Sequence, residues 1–177
     1  MSDNARRYRI VRNKLTTLYP TQPSGNLAKH LNTLAGLISG IVGSKSVHLP
    51  KVASTVSDGN KTSSREKKFS RWINNQNIDF ARYFLPFVEM LLRNLTGDAL
   101  IFAIDGSVVG RDCIVLMVSV IFRGRSLPVT WLVVNGKKGH LPESSHMELL
   151  NSLHAIVPEG KHVVILGDGE FDGIGLQ

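Results

Sequence analysis

A chain of 177 residues is long enough for one ordinary domain, or for a small domain plus part of a second. Its 42% apolar and 20% charged content supports a packed core and excludes wholesale disorder. The formal charge of +7 is segregated: residues 1–100 hold 15 Lys or Arg against 6 Asp or Glu, giving +9, whereas residues 101–177 hold 6 against 8, giving −2. The basic half suits a polyanion, because neutralising phosphates releases condensed counterions whatever the base sequence. Charge alone does not choose among DNA, RNA and an anionic membrane. The N-terminal run MSDNARRYRIVRNK has no uninterrupted apolar stretch behind its arginines, and no window reaches the ~18 apolar residues of a membrane span. The sequence therefore reads as neither exported nor membrane-spanning. The single cysteine, Cys113, closes no intrachain disulfide, reads as a buried small hydrophobe, and fits a reducing cytoplasm.

From Leu27 the apolar residues Leu27, Leu31, Leu34, Ile38 and Ile41 recur at spacings of three and four, the stripe of an amphipathic helix with Asn26 as its N-cap. Gly40 and Gly43 interrupt that stripe, and Val47, Leu49, Val52 and Val56 predict a second short helix after a tight turn. Two helices joined this way fit either a helix-turn-helix or a plain packed hairpin. Residues 57–68, SDGNKTSSREKK, are polar and turn-rich and read as a linker or exposed loop leading into a helix. Arg65, Lys67, Lys68 and Arg71 cluster beside Phe69 and Trp72, a combination that holds phosphates while an aromatic face stacks, or that forms a solvated helix face over core aromatics. A further helix from about Asp79 carries Phe80, Phe84, Phe87, Val88, Leu91, Leu92 and Leu95, with Pro86 as a kink or restart and Gly97 as its stop.

The second half changes period. LIFAIDGS (100–107), DCIVLMVSVIF (112–122) and LPVTWLVVN (127–135) are β-rich runs separated by turns, and they predict an antiparallel meander. Met147, Leu149, Leu150, Leu153, Ile156 and Val157 have helical periodicity, and HVVILGDG then supplies a strand that lies parallel in the same sheet after its helical crossover. The expected class is α+β, with a helical, basic region over 1–96 and a βββαβ mixed sheet over 97–177.

Asp105 follows the apolar run LIFAI and Asp168 follows VVILG, so each strand is expected to deliver one carboxylate to its C-terminal end. A lone Asp after a strand is most often a turn-former or helix cap. If the first and fourth strands are neighbours, however, the two carboxylates converge. Carboxylates held close repel unless a cation sits between them, and their hard oxygens suit Mg²⁺ or Mn²⁺.

The stretches IDGSVVG, FRGRSLPVTWLVVNGKKGH and VILGDGEFDG, with SREKKFSRWINN and FLPFVEMLL upstream, resemble bacterial insertion-sequence transposases of the DDE type, over roughly residues 25–175. The resemblance implies a partial RNase H-like fold and a phosphoryl-transfer enzyme that cuts transposon ends and joins their 3′ hydroxyls to target DNA. It implies Asp105 and Asp168 as catalytic residues and as ligands of two Mg²⁺ or Mn²⁺ ions. It also implies DNA as partner, self-association on that DNA, and a cytoplasmic, nucleoid-associated location. The family's third acid, a Glu on a later helix, is expected well downstream of Asp168. Glu170 and Asp172 stand too near to fill that role, so the chain alone is expected to be inactive or nearly so. Lys137, Lys138 and His140 are candidate phosphate contacts beside Arg65, Lys67, Lys68 and Arg71. The alternative function is a DNA-binding remnant without chemistry, or an inhibitor of full-length copies.

Two further patterns are weaker. DGEFDG, residues 168–173, matches the opening of a calcium loop, but a strand precedes it where a helix is needed. His140, Glu143 and His146 share a loop without zinc-like spacing.

Overall fold

The fold comes from a computed structural model that describes residues 2–97, 99–110, 112–136 and 141–171, the side chain of Glu170 excepted. The chain forms two compact units, Met1–Phe87 and Val88–Gln177, each described separately below.

The first unit opens with α1, Asp3–Leu18, whose N-terminus is capped by the Ser2 hydroxyl accepting from the Ala5 N–H at 3.4 Å. No residue of α1 is fully buried. That explains why the apolar pattern of the sequence did not reveal it: the helix is mostly Arg, Asn, Lys and Thr, and it packs along α2 chiefly through Tyr8 and half-buried neighbours.

Helix α2, Gly25–Ser44, runs straight through Gly40 and Gly43 and ends only at Lys45, which takes the left-handed conformation at φ 50°. The expected turn at the two glycines is thus displaced. Their role is close packing, since a Cβ at Gly40 would lie 2.6 Å from Val52 Cγ1 and 2.7 Å from the Val52 carbonyl oxygen. Val52 belongs to α3, Leu49–Ser54, which has Pro50 in its first turn, where the missing N–H has no helical acceptor to lose.

Helix α4, Thr62–Ile73, begins inside the segment that composition suggested was a linker. Leu37, Val52, Ala53, Val56 and Phe69 form the core beneath it, with Tyr8, Leu49 and Trp72 partly buried against them. The short α5, Phe80–Tyr83, is capped by Asp79, whose carboxylate accepts from the Arg82 N–H at 2.7 Å. Pro86 then restarts the chain as α6, Leu85–Asn94, which bridges the boundary between the two units and stops before Gly97 at φ +115°.

The second unit is α+β. Strands β1 (Ala99–Gly110), β2 (Cys113–Phe122) and β3 (Arg125–Asn135) form the expected antiparallel meander, α7 (Glu143–His154) follows, and β4 (His162–Leu166) pairs parallel to β1. The sheet order is β3-β2-β1-β4. Arg123 and Gly124, both at positive φ, make the two-residue turn whose twist suits the β2–β3 hairpin.

Alternation places Leu100, Phe102 and Ile104 of β1, with Ile114, Leu116, Val118 and Val120 of β2, in the core. Helix α7 packs on β2 and β3 and buries its own His146, Leu149 and Leu153. On the other face of the sheet Ile101, Asp105, Ile121, Trp131 and Val133 are exposed. No helix among the described residues is long and apolar enough to cross a membrane.

Candidate functional site

Each β4 residue pairs with the β1 residue 63 positions before it, from Ala99↔His162 to Ala103↔Leu166, and Asp168 stands 63 positions after Asp105. The pairing itself ends at Ala103↔Leu166; carried on two residues further, the same offset would set the two aspartates level. The chain keeps to β1 over this step: a Cβ at Gly167 would lie 3.0 Å from Ile104 Cγ2. Adjacent strands run about 4.8 Å apart, which is within reach of one shared cation for two carboxylates at level positions. Both residues are exposed.

One detail differs from the expectation that each strand ends at its Asp. Strand β1 continues to Gly110 because β2 pairs with it as far as Cys113, so Asp105 is mid-strand, opposite Met117. It nevertheless lies two residues beyond the part of β1 that β4 covers, and Asp168 lies two residues beyond β4 itself. Both acids thus sit where the parallel pairing ends. Beyond Asp168 the chain turns into the 3-10 segment Gly169–Phe171, closed by the Phe171 N–H donating to the Asp168 carbonyl at 3.0 Å. A strand, not a helix, precedes this turn, which is the wrong entry for a calcium loop; Asp172 and Gly173 lie outside the described residues.

Carboxylate oxygens are hard ligands suited to Mg²⁺ or Mn²⁺, so the donor chemistry of the pair fits such an ion. The described residues contain no group of three or more His, Cys, Asp or Glu placed to hold a metal. His146 is turned inward, 3% exposed, with its ring 4.7 Å from that of Phe171, so the Glu143–His146 pattern assembles no metal site. His140 lies outside the described residues, as do Lys137 and Lys138. Cys113 is half-buried at the start of β2 rather than enclosed, and its thiol donates to Asn135 Oδ1 at 3.2 Å.

The basic cluster of α4 divides into two kinds of residue. Lys67, Lys68 and Arg71 are exposed. Arg65 is not: its side chain is 5% exposed and clamps the loop before α4 onto α3. Its Nε and Nη2 donate to Asp58 Oδ1 at 2.8 and 2.7 Å, Nη2 also donates to the Asn60 carbonyl at 2.7 Å, and Nη1 donates to the Ala53 carbonyl. Burial pushes the Asp58 carboxyl up, but hydrogen bonds from Arg65 and Asn60 outweigh it and hold the group below its ordinary value. With its donors committed inward, Arg65 is a structural residue and is not offered to a phosphate, contrary to the expectation from its neighbours in sequence. No spacing rule links Asp58 to Arg65, so the pair was invisible before the fold placed it.

A second feature missed in the sequence is an aromatic group between α2, α4 and α5. His30 and Trp72 both meet Tyr83 edge to face, with centroids 5.7 and 5.9 Å away. Burial raises the Tyr83 hydroxyl above its ordinary value. Comparison with family models, curated proteins and solved structures gave no match.

Proposed function

We propose that this chain carries part of a metal-dependent phosphoryl-transfer centre acting on DNA, of the DDE transposase kind, with Asp105 and Asp168 as two of its acidic ligands. The observation that supports this most directly is the 63-residue offset that the two aspartates share with the β1–β4 pairing, each standing two residues beyond its last pair. The strand order β3-β2-β1-β4, with β4 parallel to β1, agrees with the RNase H-like architecture that the sequence resemblance implies. In this reading Asp105 and Asp168 hold Mg²⁺ or Mn²⁺. A bound divalent ion supplies Lewis-acid stabilisation of phosphoryl oxygens and activates an oxygen nucleophile. Both aspartates are exposed, which leaves room for a DNA strand. Lys67, Lys68 and Arg71 add a sequence-independent attraction for phosphates.

The second reading is DNA binding without chemistry. It draws on the exposed cations of α4 and on the lack, among the described residues, of a three-member ligand set. DNA affinity measured in Mn²⁺ and in EDTA separates the two. Two carboxylates repel a phosphate until a cation neutralises them, so the phosphoryl-transfer reading predicts binding that Mn²⁺ tightens and that Asp105→Asn or Asp168→Asn makes insensitive to the metal. Equal affinity in Mn²⁺ and EDTA for the parent chain would overturn that reading in favour of the second.

A further inference from the structure

Within the first unit, α2 and α4 line an open cleft of about 520 Å³. Its volume lies within the range of sites that hold small organic ligands, about 300 to 1,000 Å³. Lys29 comes from α2, and Lys68 and Arg71 from α4, so three cations face one hollow whose described lining contains no carboxylate. All three cationic residues are exposed, and the ion pairs Arg65–Asp58 and Arg93–Glu89 involve none of them. Ser64 adds a hydroxyl.

The opposite character comes from the aromatic residues. His30 and Trp72 also line the cleft, and both are braced edge-on by the buried Tyr83. The Trp72 indole N–H is buried and has no hydrogen-bond partner. A buried donor left without a partner costs roughly 1–3 kcal/mol, and native structures retain few of them.

We infer that this cleft binds a phosphorylated nucleoside, with the phosphate held by Lys29, Lys68 and Arg71 and the base against the His30–Trp72 wall. The cations alone would suit any phosphate. The aromatic wall adds a preference for a flat ring, because stacking on aromatic side chains is tolerant of base identity. A hollow of this volume suits one nucleotide better than the continuous face of a duplex, so the inferred ligand is either a free mononucleotide or a nucleotide unstacked from a single strand. The site lies in the first unit and needs neither Asp105 nor Asp168, so it stands or falls apart from the proposed phosphoryl-transfer centre.

The test uses tryptophan fluorescence of the full chain in EDTA, with Trp131→Phe so that Trp72 is the sole reporter. Deoxyadenosine 5′-monophosphate, inorganic phosphate, a single-stranded oligonucleotide and a duplex are each titrated. The expected result is saturable quenching by the mononucleotide or the single strand, at least about tenfold tighter than phosphate alone, from the added stacking. Lys68→Ala and Arg71→Ala should each weaken it several-fold while circular dichroism stays unchanged, and Asp105→Asn should leave it intact. A single strand that binds about tenfold or more tighter than the mononucleotide identifies the strand as the source; equal or weaker binding identifies the free nucleotide. Because Trp72→Ala risks the packing against Tyr83, Trp72→Phe serves as the aromatic-wall variant, read by displacement of a fluorescent nucleotide. The inference is overturned if neither the nucleotide nor the single strand quenches saturably. It is overturned equally if phosphate or duplex binds as well as either, or if the Lys68 and Arg71 variants bind like the parent.

Discussion

Removing the Asp58 carboxylate tests whether Arg65 holds the first unit together or serves a ligand. In Asp58→Ala the guanidinium, whose side chain is 5% exposed in the parent, loses two hydrogen bonds, of 2.8 and 2.7 Å, and the carboxylate paired with it. Breaking one partner of a buried ion pair leaves an uncompensated buried charge and costs about 3–5 kcal/mol. Folding stabilities are only about 5–15 kcal/mol, so this loss is a large share of the total. For a unit of this size each kcal/mol shifts Tm by about 4–8 °C, which places the expected fall at about 12 °C or more. Asp58→Asn keeps an acceptor and should lose less, and the double variant Arg65→Met with Asp58→Leu should recover much of the loss, since it removes both charges together. The pH dependence has a definite sign. The folded Asp58 carboxyl titrates below its ordinary value of 3.8, so its contribution is complete at neutral pH and is lost as pH falls below about 4 through the folded value. Urea denaturation of the parent, the single variants and the double variant, at pH 7 and at pH 3, measures all of this. A loss under about 1 kcal/mol for Asp58→Ala, or a double variant no better than the single, would refute the structural role.

Three other outcomes are expected. Gly40→Ala should destabilise the first unit by about 1–3 kcal/mol despite alanine's better helix propensity, because its Cβ would meet the Val52 carbonyl oxygen at 2.7 Å; a stabilised variant in thermal melts would contradict the close α2–α3 approach. His146→Leu should leave stability unchanged or raise it by up to about 1 kcal/mol, because the buried Nε2 has no hydrogen-bond partner; a clear fall in the denaturation midpoint would mean that the imidazole is satisfied. Lys67→Ala should lower the slope of log affinity for DNA against log salt by about one unit without altering the melting curve, and an unchanged slope would remove Lys67 from the phosphate contacts.

The β-rich half was legible because its signals are local. Period-two alternation, the Arg123-Gly124 turn and the helix before HVVIL led to the meander, the crossover and the parallel fourth strand without tertiary information. The helical half was less so. Helix α1 escaped because it buries no residue fully, and Gly40 and Gly43 read as a break because the close approaches they allow, of Val52 to Gly40 and of Arg7 and Thr55 to Gly43, come from residues distant in sequence. Arg65 looked like its exposed neighbours Lys67 and Lys68 because helical phase decides burial: Phe69, four residues on, shares its inward face. The two aspartates were picked out as strand-following acids, but the offset of 63 that they share with the β1–β4 pairing needed the fold. The Trp72–Tyr83–His30 group joins three helices and has no sequence signature.

The central claim is that Asp105 and Asp168 share a divalent ion, and Mn²⁺ titration by calorimetry tests it on the full chain and on Asp105→Asn and Asp168→Asn. The account predicts saturable binding to the parent that either substitution abolishes, with unchanged circular dichroism. Parent-like binding in either variant, or no binding to a folded parent chain, would contradict it.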